Sequence, residues 1–265
     1  MTHDNYLLFF DIDGTLLTEG KNRHIPQSTL DALAQAGENG HKLFINTGRT
    51  YAELSKRLRT LPVDGFVCGC GTYIILGKDT LLHETIPQTM CRQIIDDLAA
   101  CGLEGLLESD THIYYDSRPY TSRMDVLRQE QKKQNPRVIE SFEDPSITFD
   151  KFCLCTTPHS DYETFYRKSH EDFDFIDRGR CFFEVVPRRS SKATGMAFLE
   201  EYFSIPNARS MAFGDSTNDL TMLSYAGISI AMERHDQALD TVVDYVTGPV
   251  DGTVIYDAMK KYKII

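Results

Sequence analysis

The stretch Tyr6-Leu7-Leu8-Phe9-Phe10-Asp11-Ile12-Asp13-Gly14-Thr15 decides how the rest of the chain is read. Residues 6–10 form an unbroken aromatic and aliphatic run, as a parallel strand buried on both faces requires. Two aspartates two residues apart follow it at once. Open parallel sheets put their ligand sites beyond the carboxyl ends of the strands. Paired carboxylates at such an edge repel each other and are costly to desolvate unless a cation lies between them. Gly14 then permits a backbone turn that a side chain would obstruct.

The same rhythm continues outward. Pro26, Ser28, Leu30, Leu33 and Ala34 predict a helix stopping near Gly37 or Gly40, and His41–Asn46 a second buried strand. Leu54, Leu58 and Leu61 mark one face of a further helix. At the far end, residues 193–203 read as helix, Ser210–Phe213 as strand, Leu220–Tyr225 as helix, Ile228–Met232 as strand and Thr253–Tyr262 as helix. This alternation specifies an α/β fold with a Rossmann-like parallel sheet covered by helices. Between about His83 and Pro187 the pattern turns polar and amphipathic. A helix at Thr89–Ala100 and strands at Leu103–Glu108 and Ile113–Tyr115 lead this region. Alternating strands are expected at Phe149–Thr156, Phe173–Ile176 and Cys181–Val186, and Ser160 with Glu163 reads as a capping box. Residues 129–136 read as a solvated loop or helix end. The expected organisation is a core of residues 1–83 and 188–265 with an α+β domain, 84–187, inserted into it.

Two more clusters fall at strand ends. Thr47-Gly48-Arg49 offers a hydroxyl and backbone N–H groups suited to a phosphate oxygen. Gly214-Asp215-Ser-Thr-Asn218-Asp219 offers carboxylate oxygens suited to magnesium, a hard cation, although Asp and Ser are also ordinary helix caps. A site that is acidic and handles phosphate needs a fixed cation, and Lys192 in Arg188-Arg189-Ser-Ser-Lys192 is placed to supply it, although such basic runs are commonly solvated.

Composition narrows the classes further. The 265 residues carry 28 Lys plus Arg against 39 Asp plus Glu, a formal net charge of −11. That field repels polyanions and argues against nucleic acid as the main partner. The seven cysteines include Cys68/Cys70 and Cys153/Cys155, two C-x-C pairs in apolar runs, and read as small buried hydrophobes kept reduced. No apolar run reaches the ~20 residues a membrane helix needs. The start lacks a basic segment before its short apolar stretch, so a cytoplasmic location is expected.

The four clusters DIDGT (11–15), INTGR (45–49), Lys192 in RRSSKATG and GDSTND (214–219) resemble, in order and spacing, the haloacid dehalogenase-like phosphatases, and among them the Cof-type sugar-phosphate phosphatases. DxDGT with GDxxND carries the resemblance; TGR and the lysine support it. It covers the chain end to end, because that subgroup carries its α/β cap between the second and third motifs.

The resemblance implies Asp11 as nucleophile and Asp13 as general acid and base. It implies Mg²⁺ held by Asp11, the Asp13 main-chain carbonyl and Asp215. Thr47, Gly48 and Lys192 would bind the phosphoryl group, Asn218 would help position it or the metal shell, and Asp219 would orient Lys192 or a metal-bound water. Arg49 would support the fold or reach toward the cap. The implied substrate is a small phosphorylated metabolite, with no nucleic acid or membrane involved. One departure is Cys68-Gly69-Cys70-Gly71-Thr72, which stands where relatives often carry an Asn-Gly-Ala turn. Among cap cations, Arg118, Arg123, Lys151 and Arg178 are expected to be solvated. Two alternatives stay open: a phosphomutase, which shares Asp11-x-Asp13, and a non-catalytic binding protein on the same scaffold.

Overall fold

The structure is a computed structural model describing residues 5–18, 20 and 22–265; the first four residues of the chain start lie outside these. The chain divides into two units. The first comprises the segments ending at Gly48, Arg57–Leu82 and Ser191–Ile265, and the second comprises Arg49–Lys56 and His83–Ser190.

In chain order the elements begin with β1 (Leu7–Phe10), α1 (Gln27–Glu38), β2 (Lys42–Asn46), α2 (Lys56–Arg59), β3 (Gly65–Cys68), β4 (Tyr73–Leu76) and β5 (Asp79–His83). They continue through α3 (Gln88–Ala100), β6 (Glu104–Glu108), β7 (Ile113–Tyr115), α4 (Arg123–Gln134), β8 (Val138–Ile139), β9 (Lys151–Cys155), α5 (Tyr162–Ser169), β10 (Phe173–Asp177) and β11 (Phe182–Pro187). The last are α6 (Lys192–Phe203), β12 (Ser210–Gly214), α7 (Leu220–Tyr225), β13 (Ile228–Ala231), β14 (Tyr245–Val246) and α8 (Val254–Lys261).

The first sheet runs β14-β13-β12-β1-β2-β3-β4-β5. From β14 to β3 every pairing is parallel, and β4 turns back antiparallel to β3. Leu7, Leu8, Phe9 and Phe10 are all fully buried, as the opening run predicts. Burial of this kind contributes about 2 kcal/mol per side chain. Strand β1 lies between β2, the next strand in sequence, and β12, which comes 200 residues later. The order reverses between β1 and β12, and there the strand ends open a crevice for ligand.

The second unit carries a sheet ordered β10-β11-β9-β6-β7-β8, antiparallel except for β7 with β8. Its central strands β6 and β9 are buried throughout, so the one-faced alternation expected over Phe149–Thr156 fails at β9. One apolar cluster, including Leu98, Phe152, Leu154 and Phe165, covers one face. A second cluster, with Ala52, Tyr115, Met124 and Cys153, covers the other.

Several local expectations are corrected. No continuous helix follows residue 49. A 3₁₀ turn at Tyr51–Glu53 is closed by a Thr50/Glu53 capping box, Leu54 is extended at φ −71° and ψ 120°, and α2 lasts one turn. The residues 49–56 expected in the core belong instead to the second unit. Helix α5 is capped by Asp161, whose carboxylate accepts the Thr164 N–H, while the Ser160 hydroxyl donates to the Gly102 carbonyl. Of the loop or helix end expected at 129–136, the structure has the helix end, the close of α4; that helix buries only Met124 and Arg128, too little for an apolar stripe to reveal its full length. Lys151, expected in solvent, is 2% exposed and ion-paired with Glu184 at 2.5 Å and Glu108 at 3.3 Å. Six cysteines are buried, Cys181 is exposed, and none is bridged. Among the described residues no helix is long and apolar enough to cross a membrane.

Candidate active site

Strands β1 and β12 lie side by side in register, with Phe10 opposite Phe213. Asp11 and Asp215, each just beyond its strand, are therefore brought together by sheet geometry. Helix α6 starts with Ser191 as N-cap, its hydroxyl accepting the Thr194 N–H, and this delivers Lys192 to the same point. Asn46, at the end of β2, donates its side-chain amide to the Lys192 carbonyl at 3.0 Å and fixes that first turn from the far side.

The Lys192 ammonium is completely buried and donates to Asp11 Oδ1 at 2.6 Å and to Asp219 Oδ1 at 2.5 Å. The other Asp219 oxygen accepts the N–H groups of Asp215 (2.9 Å) and Ser216 (3.0 Å). Both oxygens of Asp219 are thus engaged: it is the brace that orients Lys192 and closes the 215–219 turn. The Thr15 hydroxyl donates to Asp215 Oδ1 at 3.3 Å. Gly14 (φ +85°) sits so close that a Cβ there would lie 2.3 Å from Asp215 Oδ2, which explains glycine at that place. Asp236 holds the loop from behind, accepting both the N–H (2.6 Å) and the hydroxyl (2.7 Å) of Thr217.

Asp11, Asp215 and Asp219 present carboxylate oxygens within 4.8 Å of one another. Burial pushes the Asp11 carboxyl up to about 7, although Lys192 pulls the other way. Burial, with the charges of Asp11 and Asp219, pushes Asp215 up to about 8. Burial also opposes the charge on Lys192, but Asp11 and Asp219 overcome it and hold its pKa above the ordinary lysine value. With all three carboxylates ionised, one ammonium would leave two negative charges unbalanced in a desolvated pocket, and that excess is what holds protons on Asp11 and Asp215. A divalent cation with a preference for oxygen would neutralise that excess. Since Asp219 is committed elsewhere, Asp11 and Asp215 are the side chains open to such an ion.

The remaining expected residues fall as follows. Asp13 is half-buried and ion-paired with Arg23, a residue no sequence signal singled out. Thr47 and Gly48 are buried at the end of β2 in the first unit, whereas Arg49 belongs to the second. Thr47 does not open a helix: its N–H is bound to the Val67 carbonyl at 2.9 Å and its carbonyl accepts the Cys70 N–H at 3.1 Å. The Cys68–Thr72 segment makes a tight turn in which Cys70 itself is left-handed (φ 56°). Gly71 there approaches the Ser191 carbonyl so closely that a Cβ would lie 2.2 Å away. Asn218 accepts the Ser216 hydroxyl through its side-chain oxygen at 2.8 Å, which leaves the amide NH₂ as its donating end.

Comparison with known proteins agrees with this arrangement. Residues 8–259 match the family model described as haloacid dehalogenase-like hydrolase. The chain is 27% identical over 265 residues to YkrA of Bacillus subtilis, covering 99% of both proteins. It is 24% identical to the 5-amino-6-(5-phospho-D-ribitylamino)uracil phosphatase YitU of the same organism, covering 97% of both. Among solved structures it superposes on the subclass IIB sugar phosphatase BT4131 with a TM-score of 0.82 and 26% identity, covering 98% of this chain and 100% of that one. The chain belongs to the haloacid dehalogenase-like hydrolases and, within them, to the Cof-type phosphatases.

Proposed function

We propose that this phosphoric monoester hydrolase is a Mg²⁺-dependent phosphatase acting on a small phosphorylated metabolite, a sugar phosphate or a close chemical relative, through an aspartyl-phosphate on Asp11. The observation that carries this reading is the meeting of Asp11, Lys192, Asp215 and Asp219 at one point from three separate chain segments. The sugar phosphatase BT4131 and the YitU phosphatase support the substrate class.

In this mechanism the Asp11 carboxylate attacks phosphorus as the bond to the leaving oxygen breaks. Asp13 delivers a proton to the departing alcohol. It then takes a proton from water, which attacks the phosphorus of the acyl phosphate, releases inorganic phosphate and regenerates Asp11. Lys192, the Thr47 hydroxyl, Gly48 and the Asn218 amide bind the phosphoryl oxygens, while Asp219 keeps Lys192 in place. Arg23 holds the Asp13 carboxylate until substrate enters. Asp11, the Asp13 carbonyl and Asp215 would hold Mg²⁺, which when bound supplies positive charge against the phosphoryl oxygens. Most of the rate in phosphoryl transfer comes from positioning and charge neutralisation, which a buried ammonium among carboxylates provides. The second unit, with Arg49, selects the leaving group. The absence of a membrane-crossing helix among the described residues fits a cytoplasmic substrate pool.

The test is phosphate release from a panel of phosphorylated sugars and related metabolites, with Mg²⁺ and with chelator, for the parent and Asp11→Asn. Release that depends on both Mg²⁺ and Asp11 is expected. Turnover unchanged in Asp11→Asn defeats the assignment, and phosphate that reappears on another hydroxyl of the sugar converts it to a mutase.

A further inference from the structure

A second set of ligand-type side chains gathers inside the second unit. His83, Asp110 and Asp150 each present a nitrogen or oxygen, all within 4.8 Å of one another. Backbone pairing brings them together. The Ile86 N–H donates to the Phe149 carbonyl at 3.0 Å, which lays residues 83–86 along the approach to β9. The Asp150 N–H donates to the Glu108 carbonyl at 2.9 Å, which sets Asp150 beside the end of β6. Asp110 follows in the β6–β7 turn. The Ser109 hydroxyl closes that turn by accepting the N–H groups of Thr111 (3.3 Å) and His112 (2.9 Å).

His83 Nε2 lies 3.0 Å from Asp150 Oδ1 and 3.1 Å from the Thr85 hydroxyl. What separates this group from an ordinary surface ion pair is the other Asp150 oxygen. Asp150 is 1% exposed, and its Oδ2 is buried with no hydrogen-bond partner. A carboxylate oxygen stripped of water requires a proton donor or a cation. The His83 side chain, by contrast, is 32% exposed and leaves a path for an ion to enter. The imidazole's hydrogen bond to the Asp150 carboxylate raises the His83 pKa, with Asp110 adding to it. Cys91 is not a competing ligand, since its thiol donates to the Ile86 carbonyl at 3.3 Å.

We propose that His83, Asp110 and Asp150 form a binding site for a first-row transition-metal dication of the Zn²⁺ type, separate from the phosphoryl site. One imidazole with two carboxylates is a mixed nitrogen and oxygen set, which favours Zn²⁺ and its neighbours over Mg²⁺. The 3.0 Å separation of His83 Nε2 and Asp150 Oδ1 is close to the ~3.3 Å edge of a tetrahedron with metal bonds of about 2.0 Å. A cation held at Oδ1 also stabilises the charge of the Asp150 carboxylate, whose Oδ2 has no hydrogen-bond partner. Bound metal fastens residues 83–86 to the β6–β7 turn and stabilises the folded chain by mass action.

The experiment uses the full chain, stripped with chelator, dialysed, and held in excess Mg²⁺ so that the aspartates at the phosphoryl site are occupied. Zn²⁺ is then titrated calorimetrically while histidine ring nitrogens are followed by NMR. The expected result is one equivalent of Zn²⁺ bound by the parent and by Asp215→Asn, lost in His83→Gln and in Asp150→Asn. The His83 Nε2 resonance moves to a metal-bound position over that equivalent. Equal Zn²⁺ stoichiometry in the parent and His83→Gln overturns the proposal, as does a His83 ring that does not respond. His83→Gln alters a partly exposed side chain, so the outcome does not depend on whether the buried Asp150 variant folds.

Discussion

Asp11 and Asp219 both accept a hydrogen bond from Lys192, yet their removal is expected to have opposite effects on stability. Asp219 is fully buried and uses both oxygens, binding one ammonium and two backbone N–H groups. Asp219→Asn removes the charge and sets an NH₂ against one of these donors. Breaking a buried pair from one side costs about 3–5 kcal/mol. In a protein of this size a change of that order lowers Tm by roughly 6–20 °C.

Asp11 is different, because the fold opposes its ionisation. Its pKa rises from 3.8 to about 7, chiefly through burial. The folded state therefore keeps this proton to higher pH than the unfolded state does, so stability falls as pH climbs from about 4 through 7. By pH 8 the loss is on the order of 4 kcal/mol. Asp11→Asn cannot ionise and escapes that loss, while Lys192 retains Asp219. Calorimetry of metal-free protein at pH 8 should show Asp11→Asn melting at or above the parent and Asp219→Asn far below it. Asp11→Asn should also be inactive. If both variants melt lower by similar amounts, the division of labour around Lys192 is wrong.

Four further outcomes are expected. With Asp215 titrating near 8 and Asp11 near 7, Mg²⁺ must displace protons at lower pH, so its affinity should rise with pH between 6 and 8, by about tenfold per unit or more below 7; a flat profile by calorimetry would exclude the two aspartates as ligands. Lys192→Ala leaves Asp11 and Asp219 facing each other uncompensated and should cut kcat by about 10²–10³-fold, a loss steady-state assays would read directly. Gly14→Ala drives a Cβ against Asp215 and strains a left-handed backbone, so calorimetry should show weaker Mg²⁺ binding, while Arg23→Ala, at a largely solvated ion pair, should change unfolding stability by no more than about 1 kcal/mol.

Much of the first unit was legible because burial and function share one signal there. A parallel strand covered on both faces must be apolar, and the polar residues just past it stand out, as Asp11, Thr47 and Asp215 do. Residue types alone do not divide roles among the carboxylates; only the resemblance assigns Asp215 to metal and Asp219 to Lys192. In the fold Asp219 is set apart by the Lys192 ammonium, which arrives from another segment, and by two N–H groups of its own turn. Arg23 lies in no motif and Asn46, although inside INTGR, carries no assigned role there; only the folded chain puts them beside Asp13 and Lys192. In the second unit the polar pattern misled. Lys151 lies in a strand beside two glutamates contributed by strands 43 and 33 residues away, so its burial follows from pairing that no local window contains. Helix α4 buries too little to leave a stripe, and the cap at Asp161 competed with an equally good match one residue earlier.

The pairing of Leu7 with Ser210 bears on how the molecule is made. A ribosome releases β1 long before its neighbour β12 exists, so the apolar run 7–10 must wait with one edge open. The segment His83–Ser190, in contrast, emerges with most of its strand partners already at hand. Vectorial synthesis thus favours the second unit as the earlier structure, with the lysine and aspartate cluster assembled only near termination. A nascent chain stalled before residue 210 would hold every atom of Asp11 and Lys192 and still lack the strand that aligns them.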